Sequence, residues 1–155
     1  MIIFVKLLLA HLIDDFLLQP TSWVENKEKK KHKSLYLYLH TFLHGAIAWI
    51  LVGEKDFLWF AVLLAISHGF IDFLKLYFQT KKTKRIWFSI DQVLHLIVIG
   101  LITVIYTNLE VDLTIYSYYF WIVLTGVILL TKPTSIIIKN IISIWTPENK
   151  TKDNS

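Results

Sequence analysis

Five of the six histidines lie inside long apolar runs, and each of those five has an Asp or another His four residues away. The pairs are His11/Asp15, His40/His44, His68/Asp72 and Asp91/His95. Residues four apart on an α-helix differ by only about 40° around its axis, so both members of a pair face the same way. Two such side chains can grip one metal ion from a single turn, as in zinc-binding helices. The chain has no Cys, so a metal here has only imidazole and carboxylate ligands. That chemistry suits zinc, with manganese or iron as alternatives. In each His/Asp pair the carboxylate has a second reading, as the partner that orients the imidazole.

Bound divalent metal lowers the pKa of a coordinated water and makes hydrolysis accessible near neutral pH. The candidate ligands are His11, Asp15, His40, His44, His68, Asp72 and His95, more than one zinc requires, which points to one or two ions. Asp91 is a candidate general base, or equally a helix cap following Ser89. Lys75 is a candidate for stabilising a phosphoryl oxygen, or for balancing a carboxylate. Asp14 projects about 60° from His11, on the side opposite Asp15, and is left to Lys75 or a neighbouring helix. His32 sits among lysines and reads as solvated.

The segments that carry these residues read as membrane spans. The chain is 55% hydrophobic and 15% aromatic, with a mean hydropathy of +0.53. Runs at 2–19, 36–53, 57–78, 90–107 and 115–132 each approach the roughly 20 residues needed to cross a hydrocarbon core. This predicts an all-α polytopic membrane bundle of five transmembrane helices. Asp14 and Asp15 interrupt the first run and no small-residue cleavage site follows, so that run is expected to be retained.

Basic residues alternate between loops. Lys27, Lys29, Lys30, Lys31 and Lys33 separate the first two spans, and Lys81, Lys82, Lys84 and Arg85 separate the third and fourth. Asn108 to Thr114, with Glu110 and Asp112, lacks basic residues. The positive-inside rule puts the basic loops in the cytoplasm, with the N-terminus outside and the C-terminus inside. Trp23, Trp87 and Trp145 then mark the inner interface, and Trp59, Tyr106, Tyr116 and Tyr118 the outer one. Lys6 reads as a residue snorkelling to the outer surface.

After Pro133, Ile137, Ile138, Ile141, Ile142, Ile144 and Trp145 share one helical side, opposite Ser135, Lys139, Asn140 and Ser143. This predicts an amphipathic helix on the cytoplasmic leaflet. Residues 1–146 form one domain and 147–155 a disordered polar tail.

With this orientation the ionisable residues of four spans fall in one layer, between the midplane and the inner surface. The cost of placing them there is high. In the first span twelve Leu, Ile, Phe or Val favour insertion by about 4–7 kcal/mol, while its two Asp oppose it by roughly 5–7 kcal/mol. That span depends on its neighbours, or on a cation. The fifth span has no ionisable group between Tyr118 and Leu130 and is expected to seal the bundle from lipid.

HLIDDFLLQP with the following Trp23 and Lys27, then HTFLH, HGFIDFLK, DQVLH and the late KPTSIIIK together resemble a bacterial membrane-protein family, domain of unknown function 3307. The resemblance implies a small multi-span bacterial protein and no assigned activity; the expected location is the bacterial inner membrane. More loosely, the His/Asp layout is similar to that of small inner-membrane proteins called metal-dependent hydrolases.

Three functions fit these residues. The first is a membrane-embedded metal-dependent hydrolase or phosphoesterase, acting on a lipid headgroup or lipid-linked substrate from the cytoplasmic side. The second is a proton or divalent-cation transporter, which needs polar groups through the outer half; Thr103 and Thr107 are the main ones there. The third is a non-catalytic subunit whose metal stabilises the bundle. The modest net charge of +4 sits in loops and gives no sign of nucleic-acid binding, and an oligomer is open.

Overall fold

The computed structural model describes residues 2–107 and 115–142. The loop 108–114, the amphipathic pattern beyond Ile142 and the tail 147–155 lie outside the described residues, as do the side chains of 115–117. The described residues are all-helical. Helix α1 (Ile2–Leu12) passes into a six-residue π turn, Ile13–Leu18. Then follow α2 (Thr21–Lys30), α3 (Leu35–Val52), α4 (Leu58–Phe78), α5 (Lys84–Thr107), α6 (Ile115–Leu129) and α7 (Lys132–Ile142).

Four helices form a ring: α3 packs on α4, α4 on α5, and α1 closes the ring against α3 and α5. Helix α6 covers the outside of α1. The short connection Gly53–Phe57 makes α3 and α4 an antiparallel pair. Gly53 has φ +78° and its N–H donates to the Trp49 carbonyl at 2.9 Å, ending α3 in a left-handed cap. Further along this pair, a Cβ on Gly45 would lie 2.8 Å from the Ala65 Cβ and 3.0 Å from the Ala61 carbonyl oxygen. The absence of that Cβ lets the two backbones approach closely, and His44 sits immediately beside the contact.

The pattern of exposure is inverted relative to a water-soluble bundle. Outward-facing positions on α3, α4 and α5 carry large apolar side chains such as Leu35, Phe42, Trp59, Ile66, Val93 and Leu101, all exposed. The interior is divided along its length. One half is an apolar core of Ile3, Leu7, Ala10, Ala48, Phe57 and Leu64, with Ile99 and Ile102. The other half holds the histidines and aspartates.

Among the described residues three helices, α3, α4 with its short lead-in turn, and α5, are long and apolar enough to cross a membrane. The number rises to four if α6 and α7, bent by 47° at their junction, form one span. The expectation of five spans is therefore met by three or four. The first run is covered by α1 and the π turn together, residues 2–18, and is not among these helices. Helix α5 begins at Lys84, earlier than the expected boundary, which places Asp91 in the helix interior and removes its capping role.

Residues 20–34, expected to be a loop, form α2 and a single 3-10 turn. Lys6 donates to the Val52 carbonyl at 3.0 Å and lies 4.9 Å from the Trp121 ring centroid. It ties α1 to the end of α3 and to α6.

Candidate metal centre

The π turn decides how α1 enters the site. An i→i+5 turn turns the chain less per residue than an α-helix, and such turns recur at functional sites. Here it brings both Asp14 and Asp15 inward. Asp14 is fully buried, with Oδ2 3.1 Å from His40 Nδ1, 3.4 Å from His44 Nδ1 and 3.9 Å from His68 Nε2. Asp15 Oδ1 lies 3.3 Å from His40 Nε2, 3.4 Å from His68 Nε2 and 3.8 Å from His11 Nδ1. Of the two alternatives for Asp14, Lys75 is taken by Asp91 and the neighbouring helix holds: the α3 histidines gather around it.

Three groups of candidate ligand atoms lie within 4.8 Å of one another. One is Asp14, Asp15, His40 and His68; another is His11, His68 and His95; the last is Asp15, Asp91 and His95. They share His68, Asp15 and His95, so they form one continuous cluster. All four core helices contribute: α1 with its π turn, α3, α4 and α5. The imidazoles are packed ring to ring, His44 stacking on His68 at 4.0 Å and 11°, and His68 on His95 at 4.2 Å.

These groups do not satisfy each other. Both oxygens of Asp14, Oδ1 of Asp15 and of Asp91, both nitrogens of His95, and Nδ1 of His11, His40, His44 and His68 are buried without an aligned hydrogen bond. Short distances are present, but the N–H directions are wrong. His40 Nε2 and His68 Nε2 sit 2.9 Å apart and can share only one proton. Buried polar groups ordinarily find partners, and a concentrated set without them needs an explanation such as an ion or water. The donor set, imidazole nitrogens and carboxylate oxygens from rigid helices, fits a divalent transition metal.

Two of the expected residues are engaged elsewhere. Asp72 accepts from Lys27 Nζ at 2.6 Å, with both side chains buried, and lies 3.7 Å from His40 Nε2. It approaches the same His40 nitrogen that faces Asp15 and His68, and it is outside the ligand groups. His44 likewise reaches the cluster through Asp14. Asp91 Oδ2 accepts from Lys75 Nζ at 2.7 Å and from Gln92 Nε2 at 3.2 Å, which leaves Oδ1 facing the cluster. Gln92 also meets His11 Nε2 at 3.3 Å, and Gln19 meets His40 Nε2 at 2.8 Å.

Sequence reasoning missed the roles of Lys27, Gln92 and Asp14. Nothing in the spacing separates Lys27 from the surrounding lysines; its only signal is its place in the motif that follows HLIDDFLLQP. His32, expected to be solvated, is exposed and hydrogen-bonds the Tyr77 hydroxyl.

A cavity of about 430 Å³ opens beside the cluster, with Asp15, Gln92 and Lys75 on its inner wall and Lys84, Glu28 and Lys139 further out. It lies at the end of the bundle where α2, the start of α5 and α7 meet. The opposite end is closed by the apolar core.

An all-helical chain with apolar outer faces and a buried His/Asp cluster is the class defined by these features. The family described as "Protein of unknown function (DUF3307)" matches residues 3–125, and the chain belongs to it. No curated protein and no solved structure matches the chain.

Proposed function

We propose that this is an integral membrane protein that binds one or two divalent ions, zinc by preference, and hydrolyses a phosphate ester at a site in the cytoplasmic half of the bilayer. The observation that carries the reading is the set of buried, unsatisfied His and Asp atoms converging from four helices. Asp14, Asp15, His40 and His68 would hold one ion; His11, His95 and Asp91 or Asp15 would hold the second. Asp15 belongs to two of the groups. A bound ion would supply Lewis acidity and an activated water.

The protein's own groups have separable tasks. Lys75 fixes one oxygen of Asp91, and the other, Oδ1, remains turned to the cluster as a ligand or as the acceptor of a water proton. Asp72, held by Lys27, lies beside His40 Nε2, and His44 lies against Asp14; both would position ligands. Lys75 also lines the cavity, where an anionic ester would meet it.

The topology proposed with this site puts the N-terminus outside, the basic segments and α7 at the cytoplasmic face of a bacterial inner membrane, and the cavity among them. One observation weighs against transport. Thr103 and Thr107, the polar residues of the far half, donate to the Ile99 and Thr103 carbonyls of their own helix at 2.8 and 2.9 Å. They extend no polar path beyond the cluster.

Metal analysis of the detergent-purified protein tests the reading. Stoichiometric zinc, lost from a His40→Ala/His68→Ala variant, is expected, together with hydrolysis of phosphate esters that chelation abolishes. Absence of bound metal under metal-replete conditions overturns the metal site. Bound metal without turnover leaves the non-catalytic role.

A further inference from the structure

Gln92 stands on α5 between the two α5 residues of the cluster, Asp91 and His95, and lines the cavity together with Asp15. Its carboxamide has one acceptor oxygen and two N–H donors. Each meets a different candidate ligand. Oε1 lies 3.3 Å from His11 Nε2, while Nε2 lies 3.4 Å from Asp15 Oδ2 and 3.2 Å from Asp91 Oδ2. Charge settles which way round the amide lies. Turned over, it would set its oxygen against two carboxylate oxygens, whereas an N–H toward a carboxylate is a favourable charge-assisted contact.

That orientation fixes the hydrogen on His11. The amide oxygen only accepts, so in the neutral ring Nε2 carries the hydrogen and Nδ1 keeps its lone pair. The carboxylates are divided in the same way, one oxygen engaged and the other left. The three atoms left over, His11 Nδ1, Asp15 Oδ1 and Asp91 Oδ1, are all buried without a hydrogen bond. His11 Nδ1 and Asp15 Oδ1 lie 3.8 Å apart, and Asp91 Oδ1 lies 3.9 Å from His95 Nδ1. Metal-binding imidazoles are ordinarily held like this, with the second ring nitrogen donating to a fixed acceptor. Lys75 adds a donor at Asp91 Oδ2, at 2.7 Å. With both of its N–H groups engaged by carboxylates, the amide has no donor left for a molecule in the cavity.

We propose that Gln92 is a positioning residue of the metal centre: one carboxamide sets the tautomer of His11 and leaves Nδ1, with the Oδ1 atoms of Asp15 and Asp91, as the atoms offered to an ion. Asp15 then has one oxygen to offer, not two. The consequence for metal rests on the reading proposed above, but the tautomer is set by the protein alone and can be read without metal.

The full chain in detergent, with isotope-labelled histidine, is measured by NMR above the ordinary histidine pKa of about 6.5, first chelated and then with zinc. The His11 signal is the one missing from His11→Asn. It is expected to show the hydrogen on Nε2 in the chelated protein, and to keep it there when zinc shifts Nδ1. Gln92→Met, of similar length and without hydrogen bonds, is expected to lose the fixed tautomer and to bind zinc about 10–100-fold more weakly. Gln92→Glu retains an acceptor toward His11 and is expected to keep the tautomer, a separation that a packing role for the side chain would not produce. A hydrogen on His11 Nδ1 in the unmodified chelated protein overturns the proposal, even where neither variant folds. So does a His11 tautomer that Gln92→Met leaves unchanged. A fixed Nε2–H in protein that binds no zinc sustains the role of Gln92 and overturns only the metal reading.

Discussion

Lys27 and Asp72 show how much a single ion pair carries in this interior. Both side chains are about nineteen-twentieths buried, at 5% and 6% exposure. Removing one partner strands a charge where water cannot reach it, which costs about 3–5 kcal/mol, whereas replacing both with apolar groups of similar volume is close to neutral. Lys27→Met is therefore expected to lower the thermal midpoint in detergent markedly, and Lys27→Met/Asp72→Leu to recover most of it. If the double variant is as unstable as the single, the pair supports the fold through something other than mutual neutralisation. Metal affinity discriminates further. Because Asp72 contacts His40 Nε2 but is outside the ligand groups, the double variant should bind metal more weakly, by about 10–100-fold, yet still bind it. Asp14 differs: its carboxylate meets His40 and His44 directly.

At the scale of elements, the site depends on how closely α3 and α4 approach. His44 and His68 are each followed by glycine. A Cβ at Gly69 would sit 2.5 Å from Thr41 Oγ1, and one at Gly45 would meet Ala65 and the Ala61 backbone. Backbone cannot rotate aside, so Gly45→Val must push the helices apart. Overpacking of this kind costs about 1–3 kcal/mol, and it should also spread the His40–His68 contact of 2.9 Å. The expected result is loss of metal stoichiometry with helix content retained by circular dichroism. Gly45→Ala/Ala65→Gly, which removes the Cβ contact, should restore part of it. Unchanged metal binding in Gly45→Val would mean that the cluster tolerates a wider ring.

The whole molecule presents apolar surface outside and charge inside, with an apolar plug at one end and a lysine-rimmed cavity at the other. Its orientation is directly testable, since the chain contains no Cys. Lys82→Cys, between α4 and α5, is expected to react with an impermeant maleimide only from the cytoplasmic side, and Lys55→Cys, between α3 and α4, only from outside. Labelling of both positions from the same side is incompatible with α4 crossing the bilayer. The metal should also be visible in stability. A ligand that binds only the folded state at a hundred times its Kd adds about 2.7 kcal/mol. Imidazoles must be unprotonated to bind, so the chelator-sensitive part of the thermal midpoint is expected above the ordinary histidine pKa of about 6.5 and lost as pH falls through it.

Much of this organisation was legible in one dimension. Apolar runs long enough to cross a bilayer marked α3, α4 and α5, and four-residue spacing placed His40 with His44 and His68 with Asp72 on common faces, because helical periodicity is a local property. The same rule misplaced Asp14, since it assumes about 100° per residue and the π turn does not obey it. Pairing between elements was beyond it. That Lys27 would leave its basic stretch to neutralise Asp72, that Lys75 would take Asp91, and that Gln92 would bridge His11 and Asp15 depends on which helices touch and how closely. Spacing along the chain determined which faces of α3, α4 and α5 must be inward. Only the packing of α1, α3, α4 and α5, set by glycine contacts and one irregular turn, decided which of them meet, because charges a few ångströms apart are matched by geometry that no single helix contains.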